Sequence, residues 1–139
     1  MTISKNFSFE AAHMLSNYDG PCSNLHGHSY AGTVTIDAPI DQHTHMVLDY
    51  NLIKEVINEF DHAVIFSGSN IRSDAEEALC KWAQNYGMKT VILDSDVKCT
   101  AEDMCMYLAA QLKSKAGDKA CVTVTLCETK SAAAIYTAI

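Results

Sequence analysis

The sequence predicts an α+β layer fold in a single domain, residues 1–139, with helices covering one face of a largely antiparallel sheet. Two observations carry this expectation. Polarity alternates with period two near both ends of the chain, as in strands with one buried side. Between those ends, apolar residues recur at helical spacing behind residues that cap helices. Strands grouped at the termini with helices between them are the pattern of such folds.

Each element follows from local chemistry. Residues 1–10 place Ile3, Lys5, Phe7 and Phe9 on one face and Ser4, Asn6, Ser8 and Glu10 on the other, a strand with His13 at or just beyond its end. SNYDGPCSN, between Met14 and Leu25, is a loop by composition. A second strand runs from about His26 to Asp37, where His26, His28, Tyr30, Gly32, Val34 and Ile36 share one parity. After a polar connector around Ala38–Met46, Asp49 caps a helix with Leu52, Ile53, Val56, Ile57 and Phe60 at helical spacing, ending near Asp61–His62. Ser73 and Glu76 form an S-x-x-E capping box ahead of Ala78, Leu79, Trp82, Ala83 and Tyr86, and Gly87 supplies the stop. Thr90–Leu93 is β-like, and Thr100 caps a third helix over 101–114 with Met104, Leu108 and Leu112 inward. Ala120–Thr129 and Ala132–Ala138 complete the chain as two strands joined at Lys130–Ser131.

Composition narrows the function. With 48% hydrophobic and 19% charged residues the chain suits one compact domain with a sizeable core. Ten Lys+Arg against seventeen Asp+Glu leave a net charge of −7 and no basic stripe, so nucleic acid is not an expected partner. The start has no basic-then-apolar leader, and no apolar run approaches the roughly 18 residues of a membrane span. A cytoplasmic protein without a membrane partner is expected. Six cysteines without a CxxC pair read as free thiols, most of them small core residues. No GxGxxG or Walker-type glycine loop supports nucleotide binding.

Chemistry concentrates around the HGH segment. On a strand, His26 and His28 leave the same face with Cα atoms roughly 6.5–7 Å apart, close enough to share a metal ion. His13, at the end of the neighbouring strand, would complete a three-histidine site with one open position, which is what a catalytic zinc requires. The same spacing also suits two solvated turn histidines. His43 and His45 repeat the i, i+2 spacing in the connector, but without a third ligand or a strand they read as exposed loop residues. Cys22, four residues before His26, would be acidified beside a divalent cation and serve as ligand, nucleophile or general base. Asp61 beside His62 suits a proton relay, or simply a helix C-terminus. Glu128 shares parity with Val122, Val124 and Leu126, so an apolar strand face ends in a carboxylate. A ligand with two adjacent N–H donors would satisfy it bidentately, and so would an edge salt bridge in a simpler way.

Taken together, FSFEAAH (7–13), C-x3-HGH-S-Y (22–30), LDY (48–50), DHAVIF (61–66), TAED (100–103) and CET (127–129) resemble the 6-pyruvoyltetrahydropterin synthase/6-carboxytetrahydropterin synthase family, in the right order and almost from end to end. The resemblance implies the tunnelling fold, a ββααββ unit that assembles into an oligomeric barrel, commonly a homohexamer built as a dimer of trimers with active sites between subunits. It implies that His13, His26 and His28 bind Zn2+, that Cys22 is the catalytic thiol, and that Asp61 and His62 form an acid–base pair. Glu128 would anchor a pterin ring, with Thr100 and Thr129 adding contacts. The three-residue gap between Cys22 and HGH resembles the queuosine-pathway branch. That branch implies conversion of 7,8-dihydroneopterin triphosphate to 6-carboxy-5,6,7,8-tetrahydropterin with release of acetaldehyde and triphosphate. The alternatives are a pyruvoyl-type synthase of the same fold, a pterin or zinc binder without catalysis, and a zinc-stabilised structural protein.

The chain departs from the family pattern in three places. Cys99 and Asp103 replace the usual Pro and Asn around TAE, Ser29 replaces a frequent Asn, and residues 67–98 are longer than in compact members. None of these removes a metal ligand or proton-transfer residue that the resemblance implies.

Overall fold

The computed structural model describes residues 1–139. At its centre β1 (Thr2–His13) runs antiparallel to β2 (His26–Asp37), with Thr2 opposite Asp37 and His13 opposite His26. β1 thus extends three residues past the alternating stretch 1–10, and His13 lies inside it. Helix α1 (Tyr50–Phe60) follows and buries Ile53, Val56, Ile57 and Phe60. Fully burying each such side chain contributes about 1.5–3 kcal/mol. Next come β3 (Ala63–Phe66), α2 (Asp74–Asn85), β4 (Thr90–Ile92) and α3 (Ala101–Ala116). The chain ends with β5 (Cys121–Thr129) and β6 (Ala132–Ala138).

The sheet order is β4-β3-β1-β2-β5-β6. It is mixed, largely antiparallel as expected, with two parallel pairings at one edge. β3 runs parallel to β1, and β4 parallel to β3, whereas β2, β5 and β6 follow the antiparallel pattern. Sequence reading passed over β3 as a strand. Its four apolar residues directly after a helix carry no alternation, and its pairing of Ala11 with Ala63 is non-local.

α1 and α3 pack on one face of the sheet around a core that includes Phe9, Tyr30, Val34, Ile65, Met104 and Leu108. α2 lies on the other face, correcting the expectation of helices on one side. Ile65 joins the main core, while Val64 and Phe66, of opposite parity, pack with Leu79, Cys80 and Ala83. The buried stripe of α2 is Glu76, Cys80 and Ala83, so Trp82 and Tyr86 point outward, their rings tilted against each other with centroids 5.1 Å apart.

All three expected caps form: Asp49 accepts from the amide of Asn51, Ser73 from Glu76 and Thr100 from Asp103. Each such cap contributes about 1 kcal/mol. Gly87, with φ +69°, terminates α2 as expected. All six cysteines are free, with Cys80, Cys99 and Cys105 buried. No helix is long and apolar enough to cross a membrane.

Candidate active site

The antiparallel register of β1 and β2 places His13 opposite His26 and Ala11 opposite His28. All three imidazoles therefore project to the face that also carries Tyr30 and Phe9, and they meet. Their ligand nitrogens lie within 4.8 Å of one another. Three nitrogens about 2.0–2.1 Å from a tetrahedral ion stand about 3.4 Å apart, so little movement separates this arrangement from a coordination sphere.

Hydrogen bonds fix the tautomers. Nδ1 of His13 is 2.7 Å from the carbonyl oxygen of Cys99, and Nδ1 of His26 is 2.7 Å from that of Asn24. A carbonyl only accepts, so each Nδ1 carries the proton and each neutral ring presents a bare Nε2. Those two Nε2 atoms are 3.1 Å apart, and Nε2 of His28 is buried with no hydrogen-bond partner. Convergent lone pairs in a desolvated place repel unless a cation lies between them. Burial, which outweighs the Cys99 carbonyl, holds the His13 imidazole below its ordinary pKa, and His26 and His28 add to the depression. The neutral form is the one that binds metal. These residues fit a zinc ion held by three nitrogens.

Glu128, at the end of β5, brings a carboxylate to the same point. Its Oε1 is 3.4 Å from Nε2 of His13 and 3.5 Å from Nε2 of His28. Tyr30 is fully buried below, its hydroxyl 3.4 Å from Nε2 of His13. Burial, then the charge of Glu128, drives the Tyr30 hydroxyl far above its ordinary pKa, so it stays protonated.

Cys22 sits half-buried in a short 3-10 turn, Pro21–Ser23, that precedes β2. Its carbonyl accepts from the amide of Leu15 at 2.9 Å, tying this turn to the chain just past His13. Asp61 and His62 stand between α1 and β3 on an exposed rim. Asp61 Oδ1 accepts from the Glu10 amide at 2.9 Å and lies 3.0 Å from Nδ1 of His62. The Glu10 amide above all, then His62, holds the Asp61 carboxyl below the ordinary range. His62 adopts φ +58°, uncommon for a residue with a Cβ, and is held there by its amide donating to the Glu10 carbonyl at 2.6 Å. His62 lines a cleft of about 430 Å³ with Glu10, Ala12, Gly27, Ser29 and Val64. The strand parity of these residues is opposite to that of His13, His26 and His28, so this cleft opens on the α2 face of the sheet, away from the imidazole cluster.

The two threonines are committed locally. Thr100 caps α3, and Thr129 receives the Ser131 amide at 3.3 Å in the β5–β6 turn. His43 and His45 are exposed in the connector, outside the metal-competent cluster. Within one chain, then, the histidines, Glu128 and Tyr30 converge, Asp61–His62 borders a cleft on the opposite face of the sheet, and Cys22 sits in the turn that leads into β2.

The sequence profile of a family described as "6-pyruvoyl tetrahydropterin synthase" matches residues 2–138. The chain belongs to that family. A Haemophilus influenzae protein named 6-carboxy-5,6,7,8-tetrahydropterin synthase is 33% identical over 119 residues, covering 80% of this chain and 81% of the relative. A Synechocystis protein of the same name is 36% identical over 89 residues, 58% of this chain and 69% of that one. Among solved structures, an uncharacterized Wolinella succinogenes protein superposes with TM-score 0.70 at 19% identity, covering 98% of this chain and 97% of its own. Plasmodium falciparum 6-pyruvoyl tetrahydropterin synthase gives 0.66 at 18%, with 99% and 97% covered. Those structures establish the tunnelling fold of the family, and the closer sequence relatives make this chain a tetrahydropterin synthase enzyme.

Two neighbours of the histidine cluster escaped the sequence reading. Tyr30 shares strand parity with His26 and His28, a signal that was available. The Cys99 carbonyl that sets the His13 tautomer is a backbone group 86 residues away, and no side-chain pattern announces it.

Proposed function

We propose that this protein converts 7,8-dihydroneopterin triphosphate to 6-carboxy-5,6,7,8-tetrahydropterin, releasing acetaldehyde and triphosphate, as a Zn2+-dependent lyase of 7-deazapurine (queuosine) biosynthesis. The observation that carries this reading is the convergence of the ring nitrogens of His13, His26 and His28, with His28 Nε2 buried and unpartnered. The names of the bacterial relatives support the choice of reaction.

His13, His26 and His28 would hold the zinc. Bound there, it supplies Lewis acidity toward the hydroxyl-bearing side chain of the substrate and makes the adjacent C–H and O–H protons labile. Cys22, as thiolate, takes a proton on one side of that side chain. His62, oriented by the ionised Asp61, gives and takes protons on the other. Glu128 accepts from N3–H and the 2-amino group of the pterin, two parallel donors that suit a carboxylate. Thr100 and Thr129 would add further ring contacts.

The assembly in this proposal is a homohexamer, a dimer of trimers with sites between subunits. Supporting it are the open sheet edge at β6, where Ile135 is 69% exposed, and the position of His62 at 77% side-chain exposure on a rim that a second chain could close. A reducing cytoplasmic compartment suits the six free thiols.

The test is incubation of zinc-loaded protein with 7,8-dihydroneopterin triphosphate, with the pterin product identified by mass. Formation of 6-carboxytetrahydropterin with stoichiometric acetaldehyde is expected. A 6-pyruvoyl product would replace the reaction assignment, and unchanged substrate would overturn the catalytic reading altogether.

A further inference from the structure

Glu76 is fully buried in the first turn of α2. Its place in the S-x-x-E motif suggests a reciprocal capping box, yet its carboxyl group does not return to the Ser73 amide. Oε1 accepts from the Ser67 amide at 2.6 Å, and Oε2 accepts from the Ser16 hydroxyl. The Ser73 amide donates to the Ser16 hydroxyl instead, at 3.0 Å. One buried carboxyl group therefore grips two chain segments far apart in sequence.

Both segments lead to His13. Ser16 lies three residues past it, in the stretch that leaves β1. Ser67 holds the other side: its hydroxyl accepts from the Cys99 amide at 3.2 Å and lies 3.3 Å from Cys99 Sγ. The Cys99 thiol in turn donates to the Met14 carbonyl at 3.0 Å, and the Cys99 carbonyl receives Nδ1 of His13 at 2.7 Å. The path from Glu76 to the imidazole is thus Ser67, then Cys99, then Nδ1. A second path through Ser16 fixes the backbone that follows the histidine. Groups that orient a ligand's second nitrogen ordinarily set metal affinity by factors of about 10–100.

We propose that Glu76 is a positioning residue for His13, clamping the Ser67–Cys99 segment so that Nε2 is aimed at the zinc of the proposed site. This inference rests on the metal reading given above. It assigns α2 a role beyond packing: the helix lies across the sheet from the main core and reaches the metal centre through one buried side chain.

The test compares wild type with Glu76→Ala, Glu76→Gln and Ser67→Ala, with Trp82→Ala as an exposed control on the same helix. Folding is checked by circular dichroism, Zn2+ affinity is read by competition with a chromophoric chelator, and ligand geometry by the Co2+ absorption spectrum. Glu76→Ala and Ser67→Ala should lose about tenfold in Zn2+ affinity and shift the Co2+ bands. Glu76→Gln, which keeps the acceptor for the Ser67 amide, should stay near wild type, as should Trp82→Ala. Folded Glu76→Ala and Ser67→Ala proteins with wild-type affinity and spectrum would overturn the inference, and if Glu76→Ala does not fold, Ser67→Ala decides alone. A wild-type chain that binds no Zn2+ would overturn the metal reading and this inference with it.

Discussion

Glu128 Oε1 stands 3.4 Å from Nε2 of His13, although the two residues are held by different strands and the ring's Nδ1 is turned away toward Cys99. The carboxylate is therefore at the mouth of the histidine cluster, only 29% exposed. In the proposed reaction it anchors the pterin while the imidazoles hold the metal, so the reacting side chain is delivered to zinc by the grip on the ring.

Glu128→Gln should separate those roles. Replacing one acceptor oxygen with an amide donor places N–H against N–H at the ring edge, and a hydrogen bond to a charged group is worth about 1.5–3 kcal/mol. The expected outcome is a KM raised about 10–100-fold, with one Zn2+ per chain retained, measured by steady-state kinetics beside metal analysis. Loss of zinc from this variant would make Glu128 a metal ligand instead.

Metal removal should leave the fold intact. The main core is built from apolar residues of α1, α3 and the sheet, and none of the three histidines belongs to it. Chelated protein should keep its far-UV circular dichroism at 25 °C and lose turnover, with a melting temperature lowered only by the ligand-binding contribution. Unfolding on chelation would signal a structural zinc site.

Acid should act on Asp61 in a defined direction. Its folded pKa is held below the ordinary value, first by the Glu10 amide and then by His62. A depressed carboxylate contributes stability that is present above its unfolded pKa, about 3.9, and lost as pH falls through the folded value. Asp61→Asn should flatten this acid limb in urea titrations between pH 2 and 7, being less stable than wild type near neutrality and converging with it at the acid end. Because Asp61 orients His62, the same variant should lower kcat about 100-fold. Wild-type kcat in Asp61→Asn would remove the pair from the mechanism.

Gly32 tests the sheet that carries the histidines. A Cβ there would collide with the carbonyl oxygen of Thr125 and press on the ring of Phe7. Forcing β2 away from β5 should cost about 3 kcal/mol, so Gly32→Ala should melt roughly 10 °C below wild type. An unchanged melting temperature would mean that the β2–β5 approach is looser than described.

The local parts of this molecule were legible in its sequence. The i, i+2 spacing of His26 and His28, the parity of Glu128 and the caps at Asp49, Ser73 and Thr100 all follow from backbone periodicity and short-range hydrogen bonding. What sequence reading missed is non-local. β3 pairs in parallel with the end of β1, α2 turns Trp82 and Tyr86 to solvent because Glu76 takes the inward position, and the His13 tautomer is set by a carbonyl in another loop. Those features depend on which segments meet, a tertiary outcome that periodicity does not encode.

The central claim is that the histidine cluster and Cys22 act together in one catalytic site. Its most direct measurement is single-turnover conversion of 7,8-dihydroneopterin triphosphate by zinc-loaded wild type and Cys22→Ala, with zinc content determined on the same samples. The account predicts one zinc per chain in both proteins, product from the wild type, and none from the variant. Product from Cys22→Ala at the wild-type rate would contradict it.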